Sequence, residues 1–215
     1  MEVTVRPTCY RGTAEEEPPA RAMRIFLTGV GCVGKTTVGR KLAELRGLAF
    51  FDLDEEVEAF FGTSIERLQN SFLTIHSFRD KAAEALMHLL SQPGSQESVI
   101  ALPPSGLMGG YLRVIKKASG ITVALSDEPE NILRRVTFFD HDSNPIKKDL
   151  TAEEKRYYLK EIKKDITYFG KTYKRADLRI DITDLNAADA ARRVRSEVEA
   201  FAASKSRSGP PVEEG

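Results

Sequence analysis

Residues 24–46 read RIFLTGVGCVGKTTVGRKLAELR, and the fold is decided there. The apolar run RIFLTG (24–29) has the length and character of a buried strand, and the stretch from Lys35 to Arg46 predicts a helix. Between them, Gly29–Thr36 (GVGCVGKT) matches G-x-x-x-x-G-K-[ST] at every specified position. A chance match somewhere in a chain this long is on the order of one in a hundred, and its placement between a strand and a helix is what phosphate binding requires. Glycines let successive backbone N–H groups curl around a phosphate, and the helix N-terminus adds partial positive charge. Gly29, Gly31, Cys32, Val33, Gly34, Lys35, Thr36 and Thr37 are therefore the expected nucleotide-binding residues. Lys35 would reach the β and γ oxygens of ATP and Thr36 would offer a hydroxyl to Mg²⁺.

Outward from this unit, LAFFDLD (48–54) predicts a second strand ending in two aspartates, followed by a helix over EEVEAFFG (55–62) that Gly62 stops. FRDKAAEALMHLLSQ (78–92) is helical up to Pro93. SVIALPP (98–104) and GITVALS (120–126) are further strands, with helical GGYLRVIKKA between them. A helix is predicted over PENILRRVTFF (129–139), and a long charged one over 151–176, opened by Thr151 and Glu154 at capping-box spacing. LRIDI (178–182) and a final helix close the pattern. Strands alternating with helices predict a three-layer α/β/α domain with a central parallel sheet of the P-loop type. That domain is expected over 23–203, with a lid near 137–158. Residues 1–22 and 204–215 lack apolar periodicity and read as disordered tails, with Met23 a candidate translation start.

The 215 residues carry 32 Lys plus Arg against 32 Asp plus Glu, a balance without the positive field that nucleic-acid binders use. No apolar run approaches membrane-spanning length. Two cysteines, Cys9 and Cys32, suit a reducing cytoplasm without a disulfide framework. The expectation is a cytoplasmic monomer acting on a small molecule, with neither nucleic acid nor membrane as partner. His76, His88 and His141 share no ligand-like spacing.

Asp52 and Asp54, two apart at a strand end, would point the same way, towards the edge where α/β sheets bind ligands. One carboxylate can hold a Mg²⁺ water shell while the other orients or deprotonates an acceptor hydroxyl. Helix capping by Asp54 is the structural alternative. GVGCVGKTTVGRKLAELRGLAFFDLDEEVEAFFG, followed by FRD at 78–80, resembles the shikimate kinase family, whose members share a phosphate loop, a strand ending in D-x-D and an F-R-D turn. The resemblance runs from Met23 to about Phe201. It implies ATP and Mg²⁺ as cofactors and a small hydroxylated acceptor, shikimate or a related hydroxy acid. It further implies that Asp52 serves the metal, Asp54 binds the acceptor hydroxyls as base, Arg79 pairs with the acceptor carboxylate and Arg135 lies against adenine. Guanidinium matches carboxylate bidentately and stacks well on purines. For Arg79 the alternative is a solvated helix arginine.

Three places depart from the family pattern. Its three consecutive glycines after the third strand are here Pro103, Pro104 and Ser105, with only Gly106 left to contact the acceptor; proline has no N–H to donate. The lid Arg-Pro is replaced by DSNPIKKD, where Lys147 and Lys148 are the available cations. Tyr168 or Phe169 stands where a second acceptor arginine belongs, with Lys171, Lys174 and Arg175 nearby. A kinase for another hydroxylated acid, nucleoside or nucleotide, and an ATP-binding regulatory protein without turnover, are the alternatives.

Overall fold

The computed structural model describes residues 23–140, 142 and 144–207. The expected N-terminal tail, the end of the C-terminal one, Cys9 and His141 lie outside the described residues. The elements are β1 (Arg24–Thr28), α1 (Lys35–Arg46), β2 (Ala49–Asp52), α2 (Leu53–Phe61), α3 (Ile65–Asn70), α4 (Ile75–Ser91), β3 (Ser98–Ala101), α5 (Gly109–Ile115), β4 (Ile121–Ser126), α6 (Pro129–Arg134), β5 (Phe138–Phe139), β6 (Pro145–Ile146), α7 (Ala152–Tyr173), β7 (Leu178–Asp181) and α8 (Ala187–Arg207).

Five strands form one sheet in the order β2-β3-β1-β4-β7, every pair parallel. The strands are apolar on both faces because both faces are covered. Ile25, Leu27 and Val99 point to a core shared with α1, α8 and one side of α7, while Phe26, Ile100 and Leu53 point to a second core shared with α2, α4 and α5. Each layer buries the apolar stripe of its helices, which is what fixes the three-layer arrangement. Register then positions the chemistry. Asp52 and Leu27 both pair with Ala101, so the end of β2 stands level with the start of the phosphate loop across the width of β3.

Four boundaries differ from the sequence expectation. β2 stops at Asp52, and Leu53 and Asp54 belong to α2, so the two aspartates do not share a strand face. The cap is Asp52 rather than Asp54: its carboxylate accepts the Asp54 N–H. The helix expected over 129–139 ends at Arg134; β-branched and aromatic Val136–Phe139 favour extended structure, and Phe138–Phe139 pairs antiparallel with Pro145–Ile146. α4 begins three residues before Phe78, where Thr74 accepts from the Ser77 N–H. α8 continues through Ser204–Arg207, since nothing in SKSR stops a helix before Gly209 and Pro210. The Thr151–Glu154 capping box forms as its spacing predicts. Among the described residues no helix is long and apolar enough to cross a membrane.

Candidate active site

The phosphate loop leaves β1 at Gly29, whose φ of 147° and contacts admit no side chain: a Cβ there would lie 2.6 Å from the Leu125 carbonyl oxygen and 2.9 Å from Val33 Cγ1. Left-handed backbone at Cys32 (φ 57°) and Gly34 (φ 110°) curls the loop into the concave form that presents N–H groups to an anion. α1 starts with no side-chain cap and no acidic residue in its first turn, so its N-terminal N–H groups are left for a ligand. Val33 turns its side chain into the core and contributes only backbone to the loop. Lys35 Nζ donates to the carbonyls of Gly29 and Val30, each at 3.0 Å. Desolvation pushes this ammonium below its ordinary pKa, against the pull of the Asp54 and Asp52 charges.

Asp52 joins the two carboxylate-bearing elements. One oxygen accepts the Asp54 N–H at 3.2 Å; the other accepts the Thr36 hydroxyl at 2.6 Å. Capping by Asp52 turns the chain so that Asp54, on the first helical turn, faces the same cavity although it no longer lies on the strand. Asp54 keeps surface open to that cavity, yet the protein crowding around it, and then the Asp52 charge, raise its carboxyl from 3.8 to about 6, with Lys35 partly opposing. Thr36 and Asp52 present adjacent hard oxygen ligands that suit Mg²⁺. Among the described residues no group of three or more His, Cys, Asp or Glu could hold a metal ion, so such an ion would complete its shell with phosphate oxygens and water.

A cavity of about 650 Å³ unites Gly31, Cys32, Gly34, Lys35, Thr36, Thr37, Asp52 and Asp54 with a second wall from the segment after α6. Arg135 stands in that wall. Its Nε donates to the Cys32 carbonyl at 3.1 Å and its Nη2 pairs with Asp127. Burial alone would raise the Asp127 carboxyl, but hydrogen bonds from Arg135, Asn131 and the Glu128 N–H hold it below the usual range. Arg134 also lines the cavity, a neighbour that sequence reasoning passed over because only Arg135 matched the family pattern. The β5–β6 hairpin falls within the expected lid, and Asp142 at its tip meets Arg67 of α3 at 2.6 Å. Lys148 is committed to Glu154 at 2.8 Å and to the rings of Phe138 and Tyr158. Lys147 makes no ion pair among the described residues.

The acceptor side is more altered. Arg79, in α4, is only 4% exposed, and its Nε and Nη1 are buried without a hydrogen-bond partner among the described residues. The positions one turn on are Ala82 and Ala83, and the adjacent Asp80 is held by Arg113 at 2.8 Å instead. A solvated helix arginine, the alternative for this position, is not what the fold makes of it. Gly106 is buried against Leu102 and gives its N–H to the Pro103 carbonyl at 2.8 Å, so it offers no free donor to an acceptor. The loop from Pro103 to Leu107 is instead braced by the end of α7 and the residues after it: the Tyr173 hydroxyl donates to Pro104 O at 3.1 Å and Arg175 to Leu107 O at 3.0 Å. Phe169 packs on the core and Tyr168 is 57% exposed. Tyr111 of α5, buried among Leu53, Leu102 and Leu107, was missed from the sequence, where GGYLRVIKKA reads only as an amphipathic helix.

The shikimate kinase family model matches residues 31–199. The chain is 32% identical over 149 residues to the shikimate kinase of Caulobacter vibrioides, covering 67% of this chain and 72% of that one. With the shikimate kinase of Parabacteroides distasonis it shares 29% identity over 143 residues, 64% of this chain and 77% of the relative. The crystal structure of shikimate kinase from Aquifex aeolicus superposes with a TM-score of 0.63 at 28% identity, covering 84% of this chain and 98% of that one. A phosphate loop closing on Lys35 and Thr36, an aspartate pair on the facing element and a buried helical arginine thus stand on the scaffold those proteins share, and the chain belongs to the shikimate kinase family of small-molecule kinases.

Proposed function

We propose that this protein transfers the γ-phosphoryl group of ATP to a hydroxyl of shikimate or a closely related hydroxy acid. The observation that carries the reading is Arg79: a guanidinium 4% exposed, with two nitrogens unpartnered, is a cation built into the interior before its anion arrives. Leaving such a group unsatisfied costs on the order of 1–3 kcal/mol, a cost that a ligand carboxylate removes by bidentate pairing.

The remaining parts take complementary roles. The loop N–H groups and Lys35 bind and orient the ATP phosphates, with Lys35 leaving its two carbonyl partners to do so. Thr36 and Asp52 would hold Mg²⁺, which would supply positive charge to the phosphate groups of ATP. Asp54, whose carboxyl sits near 6, is mostly ionised at neutral pH and accepts the hydroxyl proton as the acceptor oxygen attacks. Arg135 lies over the adenine ring, and Arg134, which lines the cavity, takes the place of the lid arginine. The rebuilt loop at Pro103–Leu107 changes how the acceptor is gripped rather than whether it is phosphorylated.

Coupled ADP release from the purified chain with ATP and Mg²⁺, with and without shikimate, tests the reading. Stimulation by shikimate that Lys35→Ala abolishes is expected. Nucleotide binding without any stimulation would instead exclude shikimate as the acceptor.

A further inference from the structure

α5 opens with two glycines, and the second sits where no side chain fits. A Cβ on Gly110 would lie 2.8 Å from Ala83 Cβ and 3.0 Å from both the Arg79 carbonyl oxygen and Asp80 Cα. The first turn of α5 is therefore pressed directly onto the turn of α4 that carries Arg79. This contact drives the next residue, Tyr111, into the interior at 1% exposure, against Leu53, the immediate neighbour of Asp54. Buried tyrosines ordinarily give their hydroxyl a partner, yet among the described residues the Tyr111 hydroxyl makes no hydrogen bond. Burial and the Asp54 charge push its phenol upward, while Arg79 pulls it back, so both acceptor-site charges reach this ring.

On adjoining helices the Arg79 guanidinium, two of its nitrogens buried without a partner, and the Tyr111 hydroxyl, which makes no hydrogen bond among the described residues, thus stand within electrostatic reach of one another. Resting on the function proposed above, we infer that Tyr111 is an acceptor-binding residue: its hydroxyl donates to the acceptor beside Arg79, supplying the hydrogen bond that a second arginine would give in the family pattern. Of the three cations near that position, Lys171 and Lys174 are exposed and Arg175 already spends a nitrogen on the Leu107 carbonyl. A phenol donates to a carboxylate as readily as a guanidinium nitrogen but brings no charge. The grip on the acceptor then combines one charged and one neutral donor, and is less sensitive to salt than a pair of arginines.

Tyr111→Phe removes the hydroxyl and keeps the ring, so packing is retained. Steady-state kinetics with shikimate should show KM for shikimate raised about tenfold or more, with KM for ATP and the melting temperature nearly unchanged. A KM for shikimate within twofold of the wild type overturns the inference, whatever the melting temperature, because the hydroxyl then serves packing alone. Wild-type protein that neither binds shikimate by calorimetry nor turns it over overturns the assignment of shikimate as acceptor, an outcome visible before the variant is made.

Discussion

The Thr36 hydroxyl and the Asp52 carboxylate meet at 2.6 Å, joining the first turn of α1 to the end of β2. The sheet register pre-assembles this contact, since it sets Asp52 level with the strand that leads into the phosphate loop.

Asp52→Asn keeps a cap for α2 and removes the charge. Half-maximal turnover should require roughly 10–100-fold more Mg²⁺, while the phosphate loop still binds nucleotide. A Mg²⁺ titration of ADP release at saturating ATP checks this; an unchanged requirement would remove Asp52 from the metal site.

Asp54→Asn separates catalysis from stability. A folded-state carboxyl raised from 3.8 to about 6 holds its proton more tightly than the unfolded chain does. The resulting stabilisation is fully present below about pH 4 and is lost as pH rises through 6. Above that, the fold carries an ionised carboxylate beside Asp52 at a cost which the open cavity screens to about 1 kcal/mol. The variant should therefore melt a few degrees higher than the wild type at pH 8 and almost identically at pH 4, with turnover reduced 10²-fold or more. Melting curves at the two pH values, measured without nucleotide, decide it.

Arg79→Met replaces an unpartnered interior cation with an apolar chain of similar reach. It should raise stability by about 1–2 kcal/mol, or roughly 2–8 °C in melting temperature, and abolish saturation by shikimate in the accessible range. Arg79→Lys should recover little, since an ammonium cannot pair bidentately. A lower melting temperature for the methionine variant would mean that the guanidinium is satisfied in the free protein.

Arg67 and Asp142 pin the β5–β6 hairpin to α3 through an ion pair 61% and 60% exposed. Such a pair is worth less than about 1 kcal/mol, so Arg67→Asp should raise KM for shikimate only two- to fivefold. The exchange Arg67→Asp with Asp142→Arg should restore it. Restoration that fails at low salt would exclude a lid-closing role for the pair.

The nucleotide half was legible because its signals are local. Gly29, Gly34, Lys35 and Thr36 act through backbone conformation and helix position within eight residues, and the motif states both. Strand identities were legible from apolar runs, since a doubly covered parallel sheet needs them. The acceptor half was not, because its contacts join distant segments. Tyr173 reaches Pro104 across 69 positions and Arg175 reaches Leu107 across 68, and neither pairing has a period or motif to betray it. Gly106 looked available as a donor, but its N–H is consumed by the turn that Pro103 begins. The Asp52–Asp54 geometry was anticipated for the wrong reason: a cap, and not strand alternation, brings both into one cavity. In the lid, Val136–Phe139 stood at the end of a helical pattern, and only pairing with Pro145–Ile146 reveals the strand.

α7 spans 22 residues, a rod of about 33 Å. Its leading end is clamped to the segment after β6 by Lys148 and Glu154, and its trailing end holds the Pro103–Leu107 loop through Tyr173, with Arg175 just beyond. One continuous helix, with Gly170 near its trailing end, thus connects the segment after β6 to the loop that follows β3. A substitution that loosens one end of this helix therefore bears on the contacts at the other.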